Sequence, residues 1–141
     1  MRAASVLLLL ALVAGCGGGN SQEDFAQDAV AICEESNDRV KALGTPDSFP
    51  TTQLYARQAK DAVGDEIDEL RTLTPPDDLE EAFDQYLATL EQRQAQLELL
   101  VQAADENDGD AVQDVGTALD ALTTRARAQA RRAAIGACEP G

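Results

Sequence analysis

Phe83, Leu90, Leu97 and Ala104 recur every seven residues. No other feature constrains the fold of this chain as tightly. A seven-residue apolar repeat suits an α-helix packed at a shallow, left-handed angle against a neighbour. Tyr86 with Leu87, and Leu100 with Val101, occupy the positions between. The helix is predicted to begin near Pro76, where Asp77, Asp78, Glu80 and Glu81 complement the positive end of its dipole. Asn107-Asp108-Gly109-Asp110 ends it. Arg93 and Gln94 interrupt the apolar stripe; such a pair either lines a polar pocket or marks a stripe that drifts to solvent.

The same spacing predicts three further helices. The first runs from about Gln22 to Leu43, with Phe25, Ala29, Ile32, Cys33, Ser36, Val40 and Leu43 on one face. The second runs from Pro50 or Thr51 to Leu73, with Leu54, Tyr55, Ala59, Ala62, Val63, Ile67, Leu70 and Leu73 as its stripe, and Thr74-Pro75-Pro76 stops it. The last extends to about Ala137, with Val112, Val115, Leu119, Leu122, Ala126, Ala130 and Ala133 inward. No stretch alternates with the period of a strand. Short connections make sequential helices antiparallel, so residues 22–141 are predicted to form an all-α, up-down-up-down four-helix bundle. The second half of the last helix is built on Ala, which predicts a thinner core there. The thicker core is expected at the opposite end, around Val40, Leu97, Leu100, Val112 and Val115. Gly64 and Gly116 lie inside helices, where close helix contact would account for them. Tyr55 and Tyr86 read as amphipathic residues at the edge of the core.

Composition removes whole classes of function. The formal charge is −15, and phosphate backbones are bound by Lys and Arg, so no nucleic-acid partner is expected. There is no His, and the one Met is Met1. His-based zinc or copper sites and Ser-His or Cys-His nucleophile pairs are thereby excluded. Paired carboxylates survive this filter. Asp65, Glu66, Asp68 and Glu69 form one candidate cluster and Asp77 to Asp84 another, but charge runs on helices usually face solvent. No catalytic residue, cofactor or enzymatic activity is assigned.

The N-terminus carries an address. Arg2, an apolar run from Ala3 to Ala14 and then Gly15 have the layout of a secretory signal over residues 1–15. The run is shorter than the ~20 apolar residues a membrane-spanning helix needs. Val13-Ala14-Gly15-Cys16 resembles the lipobox of bacterial lipoproteins. That resemblance implies diacylglycerol on the Cys16 thiol, cleavage just before it, and anchoring at the extracytoplasmic face of a membrane. Two acyl chains anchor stably where one does not, each buried CH₂ contributing about 0.8 kcal/mol. The alternative is an ordinary signal peptide cleaved nearby, with Cys16 incidental. Residues 16–21, rich in Gly, read as a flexible tether. Leu73-Thr74-Pro75-Pro76-Asp77-Asp78-Leu79 and the late Ile135-Gly136-Ala137-Cys138 are similar to stretches of small helical lipoproteins of actinobacteria. This second resemblance implies location and fold, and no activity.

If Cys16 is lipidated, Cys33 and Cys138 remain. In an oxidising compartment the pair is expected to form a disulfide; two buried thiols are the alternative. With Cys33 about eleven residues into the first helix, such a bond would leave the first two or three turns projecting as a stalk. Asp105, Glu106, Asn107, Asp108, Gly109 and Asp110 concentrate carboxylates, but aligning Gly109 with the glycine of an EF-hand loop puts Ala104 and Val115 at ligand positions, so that motif fails. A solvated turn with an N-cap Asp is one use of this loop; weak divalent-cation binding by Asp105, Asp108 and Asp110 is the other. Arg125, Arg127, Arg131 and Arg132 could meet anionic headgroups, or could complement the helix dipole and the acidic start of the third helix. The expected function is that of a lipid-anchored, non-enzymatic interaction module with an envelope protein partner. A lipoprotein binding a small ligand or a divalent cation is the alternative.

Overall fold

The computed structural model describes residues 21–138. The signal segment, Cys16 and all of the tether except Ser21 lie outside them. Four helices follow one another: α1 (Gln22–Ala42), α2 (Phe49–Leu70), α3 (Glu80–Asp105) and α4 (Gly109–Arg132). No strand occurs among the described residues. The chain is an all-α four-helix bundle in which α1 packs on α2, α2 on α3 and α3 on α4. No described helix is long and apolar enough to cross a membrane.

Local chemistry sets the helix ends. The Ser21 hydroxyl accepts from the Asp24 N–H at 3.1 Å and so caps α1. Ser48 and Thr51 form a reciprocal capping box at the start of α2, with Pro50 in its first turn. Asp108 accepts from the Ala111 N–H at 3.0 Å and caps α4. α3 begins at Glu80, four residues after Pro76, because the Leu79 N–H turns back to the Pro76 carbonyl at 2.9 Å. Asp77 and Asp78 therefore precede the helix, and Glu80 and Glu81 form its acidic first turn.

α3 and α4 both end in a Schellman motif. Asn107 (φ 54°) lets the Asp108 N–H reach the Ala103 carbonyl at 2.9 Å. Ala134 (φ 59°) does the same for the Ile135 N–H and the Ala130 carbonyl, also at 2.9 Å. This second motif stops α4 at Arg132, five residues short of the predicted end, and turns the chain back beneath the bundle. Ile135 and Cys138 are consequently fully buried, and Cys138 is disulfide-bonded to Cys33 with their Cα atoms 5.1 Å apart.

The turn overrules two expectations. No stalk projects: Phe25 and Ala29, in the first turns of α1, are 1% and 0% exposed, and the Phe25 ring meets Phe83 edge-on at 5.0 Å. The deeper core also lies at the stapled end. Phe25, Cys33, Tyr86, Leu90, Ala126, Ala130 and Ile135 are fully buried there, whereas Val40, Val112 and Val115 at the other end are only half-buried. Leu97 and Leu100 are buried as expected. The small residues of α4 let it approach closely, the aromatic rings of α1 and α3 fill the space, and the tail seals it. The helical parts of α1 and α4 do not approach within 8 Å at any Cα pair along their length, so it is the tail, through Ile135 and Cys138, that joins the two at the stapled end.

The heptad residues Phe83, Leu90, Leu97 and Ala104 are all buried. On α2 the buried line runs through Ala56, Ala59, Val63, Ile67 and Leu70, and Leu54 is 56% exposed rather than inward. A Cβ at Gly64 would stand 2.6 Å from Gln94 Nε2 of α3, the end of a flexible side chain that would have to move aside. Gly116 meets nothing within 4 Å, so close contact does not explain it.

Candidate functional site

Among the described residues, Ser36, Glu66 and Thr89 are the buried polar side chains. Two of them, Ser36 and Glu66, gather around Tyr86 and the disulfide. Their positions follow from helical spacing. Ser36 is one turn beyond Cys33 on α1, Glu66 lies on the α2 line between Val63 and Leu70, and Tyr86 and Arg93 are seven residues apart on α3. All four therefore project into the bundle.

The Tyr86 hydroxyl, fully buried, lies 3.3 Å from both Glu66 Oε1 and the Cys138 carbonyl, and 3.6 Å from Cys33 Sγ. It has one proton for two oxygen acceptors. Burial pushes the Glu66 carboxyl above its ordinary value, against the lowering pull of Ser36, Arg93 and Tyr86. Burial and the neighbouring Glu66 both raise Tyr86, so it remains a neutral phenol. The Ser36 hydroxyl donates to the Ala62 carbonyl at 3.4 Å.

The cluster opens onto a cavity of about 220 Å³ between α1, α2 and α3, walled by Ser36, Val40, Tyr55, Val63, Glu66 and Arg93, with Lys41 and Gly44 at its margin. Arg93 is lowered by burial and raised by the facing Glu66, but a guanidinium stays charged. Its Nε is buried and donates no hydrogen bond. No ion pair within 4.0 Å joins Arg93 to Glu66; the ion pairs among the described residues involve other, more exposed groups. A half-buried cation and a buried carboxyl thus share one cavity without closing on each other.

The acidic loop is used differently. Asp105 turns to α2, where it accepts from Gln53 and pairs with Arg57 at 3.8 Å. Asp108 caps α4 and Asp110 is exposed in its first turn. The three are not brought together as a cation site, and no group of three or more acidic or Cys side chains suited to a metal occurs among the described residues. Of the carboxylate cluster on α2, Asp65, Asp68 and Glu69 are exposed and Glu66 is buried. The solvated-face reading thus fails at Glu66, although its place on the Ala59–Val63–Leu70 line was a signal for burial. Glu66 is the single buried carboxyl among the described residues. Arg125 donates to Gln92 Oε1 at 3.2 Å, midway along α3.

Arg93 does line a polar pocket, while Gln94 lies over Gly64. Tyr55 is half-buried at the edge of the core, as expected, and also walls the cavity, whereas Tyr86 is fully buried at the centre of a polar network. No family model, curated protein or solved structure matches the chain.

Proposed function

We propose that this protein is a lipid-anchored, extracytoplasmic lipoprotein whose stapled bundle is a non-enzymatic interaction module of the cell envelope. The observation that carries the reading is the Cys33–Cys138 bond, in which both cysteines are fully buried. Such bonds form and persist in oxidising compartments, which agrees with the export layout of residues 1–15 and the lipobox-like Val13–Cys16. Intact mass of the membrane-extracted protein, with and without reduction before alkylation, tests it. A chain starting at Cys16, heavier by a diacylglycerol and with two thiols alkylated only after reduction, is the expected result. A protein without lipid, or with thiols alkylated unreduced, overturns it.

A second reading, that the module binds a small ligand, is favoured by one observation: the cavity places Arg93 and Glu66 within one enclosure without an ion pair between them. The cavity is smaller than the about 300–1,000 Å³ of drug-sized sites, which restricts the ligand to a small molecule.

A further inference from the structure

We propose that the cavity between α1, α2 and α3 binds a small organic carboxylate that also carries a hydroxyl or amino donor. Arg93 would take the carboxylate, and Glu66 with Ser36 would take the donor. The proposal deepens the small-ligand reading and rests on it, but it does not depend on the lipid anchor.

Three features of the cavity select this chemistry. The first is charge. Arg93 lines the cavity of a chain whose formal charge is −15, Lys41 stands exposed at its margin and is paired with Asp38 at 4.0 Å, and the one acid in the wall, Glu66, is held towards its neutral form by burial. A locally cationic enclosure on an acidic protein discriminates for an anion that the rest of the surface repels. The second is an unmet hydrogen bond. The buried Arg93 Nε has no acceptor, and a guanidinium presents its donors as a planar fork that fits a carboxylate. A carboxylate entering beside Arg93 supplies the acceptor that the protein withholds. The third is the opposite wall. Glu66 and Ser36 offer oxygen lone pairs, and the one Tyr86 proton cannot serve both Glu66 and Cys138 at once. A donor on the ligand completes that arrangement. Val40, Val63 and the half-buried Tyr55 ring give the enclosure apolar sides.

Size narrows the class further. A cavity of about 220 Å³ lies below the about 300–1,000 Å³ of drug-sized sites and suits molecules of small size. Hydroxy acids and amino acids of a few carbons, and a single aromatic ring with a carboxylate and a hydroxyl, are of that size. Larger molecules are not.

The test is calorimetric titration of the purified, detergent-solubilised protein. The probes are lactate and 4-hydroxybenzoate, each compared with its relative lacking the hydroxyl (propionate, benzoate) and its relative lacking the carboxylate (1,2-propanediol, phenol). Saturable binding of at least one hydroxy acid is expected, about tenfold or more tighter than either of its relatives, the worth of one charge-assisted hydrogen bond. Arg93→Gln should weaken that binding by at least the same factor, and Glu66→Gln should alter the preference for the hydroxylated probe. Val40→Phe fills the cavity from its apolar wall while leaving Arg93, Glu66 and Ser36 in the chain, and should abolish binding while the circular dichroism spectrum stays helical. It keeps the test decisive if Arg93→Gln does not fold. Absence of binding by both hydroxy acids, or binding unchanged in Val40→Phe, overturns the proposal. The anchor is read by mass and not by titration, so failure here leaves the lipoprotein reading standing, and failure there leaves this site standing.

Discussion

The two ends of the bundle differ in the opposite sense to the size of their side chains. At the stapled end α4 contributes Ala126, Ala130 and Ala133, and all three are fully buried beneath Phe25, Tyr86 and Ile135. At the other end α4 contributes Val112, Val115 and Leu119, and all three are half-buried. Large residues bury apolar area only when something covers them. The helical parts of α1 and α4 stand more than 8 Å apart at every Cα pair, so what distinguishes the ends is the returning tail: Ile135 and Cys138 cover the Ala-rich end, whereas Val112, Val115 and Leu119 lie at the end away from it. Between these two regimes lies the polar cavity, where the bundle is tight enough to exclude much solvent and open enough to admit a small molecule.

Removing the staple should have the largest effect. The Cys33→Ala, Cys138→Ala double variant frees a loop of 105 residues, worth about 4.7 kcal/mol on the chain-entropy account. A fall in the urea midpoint equivalent to less than about 1 kcal/mol would show that the tail is held by packing alone.

Next comes a direct contrast of the ends. Phe83→Ala should cost about 3–5 kcal/mol, because the ring is 2% exposed and locked against Phe25. Val112→Ala should cost roughly 1 kcal/mol, since a half-exposed side chain has less to lose. Equal losses by denaturant titration would erase the distinction between the ends.

Glu66 probes the boundary between them. Its carboxyl is raised above 4.5 in the folded chain, so the native state binds more protons than the unfolded state once pH passes that value. Stability should therefore fall as pH rises through the native pKa, and the penalty should vanish below pH 4.5, where both states are protonated. Glu66→Gln retains an acceptor for Tyr86 and carries no charge. Its melting temperature should exceed that of the parent at pH 7 and match it below pH 4.5. A variant less stable than the parent at pH 7 would mean that the charged form is stabilised by Arg93 more than burial opposes it.

The smallest change sharpens the account of the tail. Ala134 pays for its left-handed backbone, φ 59°, while Gly adopts that region freely. Ala134→Gly should raise stability by up to about 1 kcal/mol in thermal or denaturant unfolding. A loss of stability would place the end of α4 in some other conformation.

Helix number, order and mutual packing follow from apolar spacing and from breakers that the chain carries at Gly44, Pro75, Pro76 and Gly109. The heptad line of α3 and the pairing of Cys33 with Cys138 were legible for the same reason: period and residue chemistry are local properties. Glu66 and Arg93 were half-legible. Each lies on the buried line of its helix, but a charged residue on such a line reads equally well as a stripe that strays. Only packing shows which side chain is enclosed. The direction of the tail was not legible, because it hangs on one backbone angle at Ala134, a residue that carries no turn signal. That single left-handed residue turns the chain under the bundle, buries Ile135, removes the expected stalk and moves the deep core to the Ala-rich end. Sequence determined which surfaces are apolar; the tertiary structure decided which of them are covered, since burial depends on what the rest of the chain brings alongside.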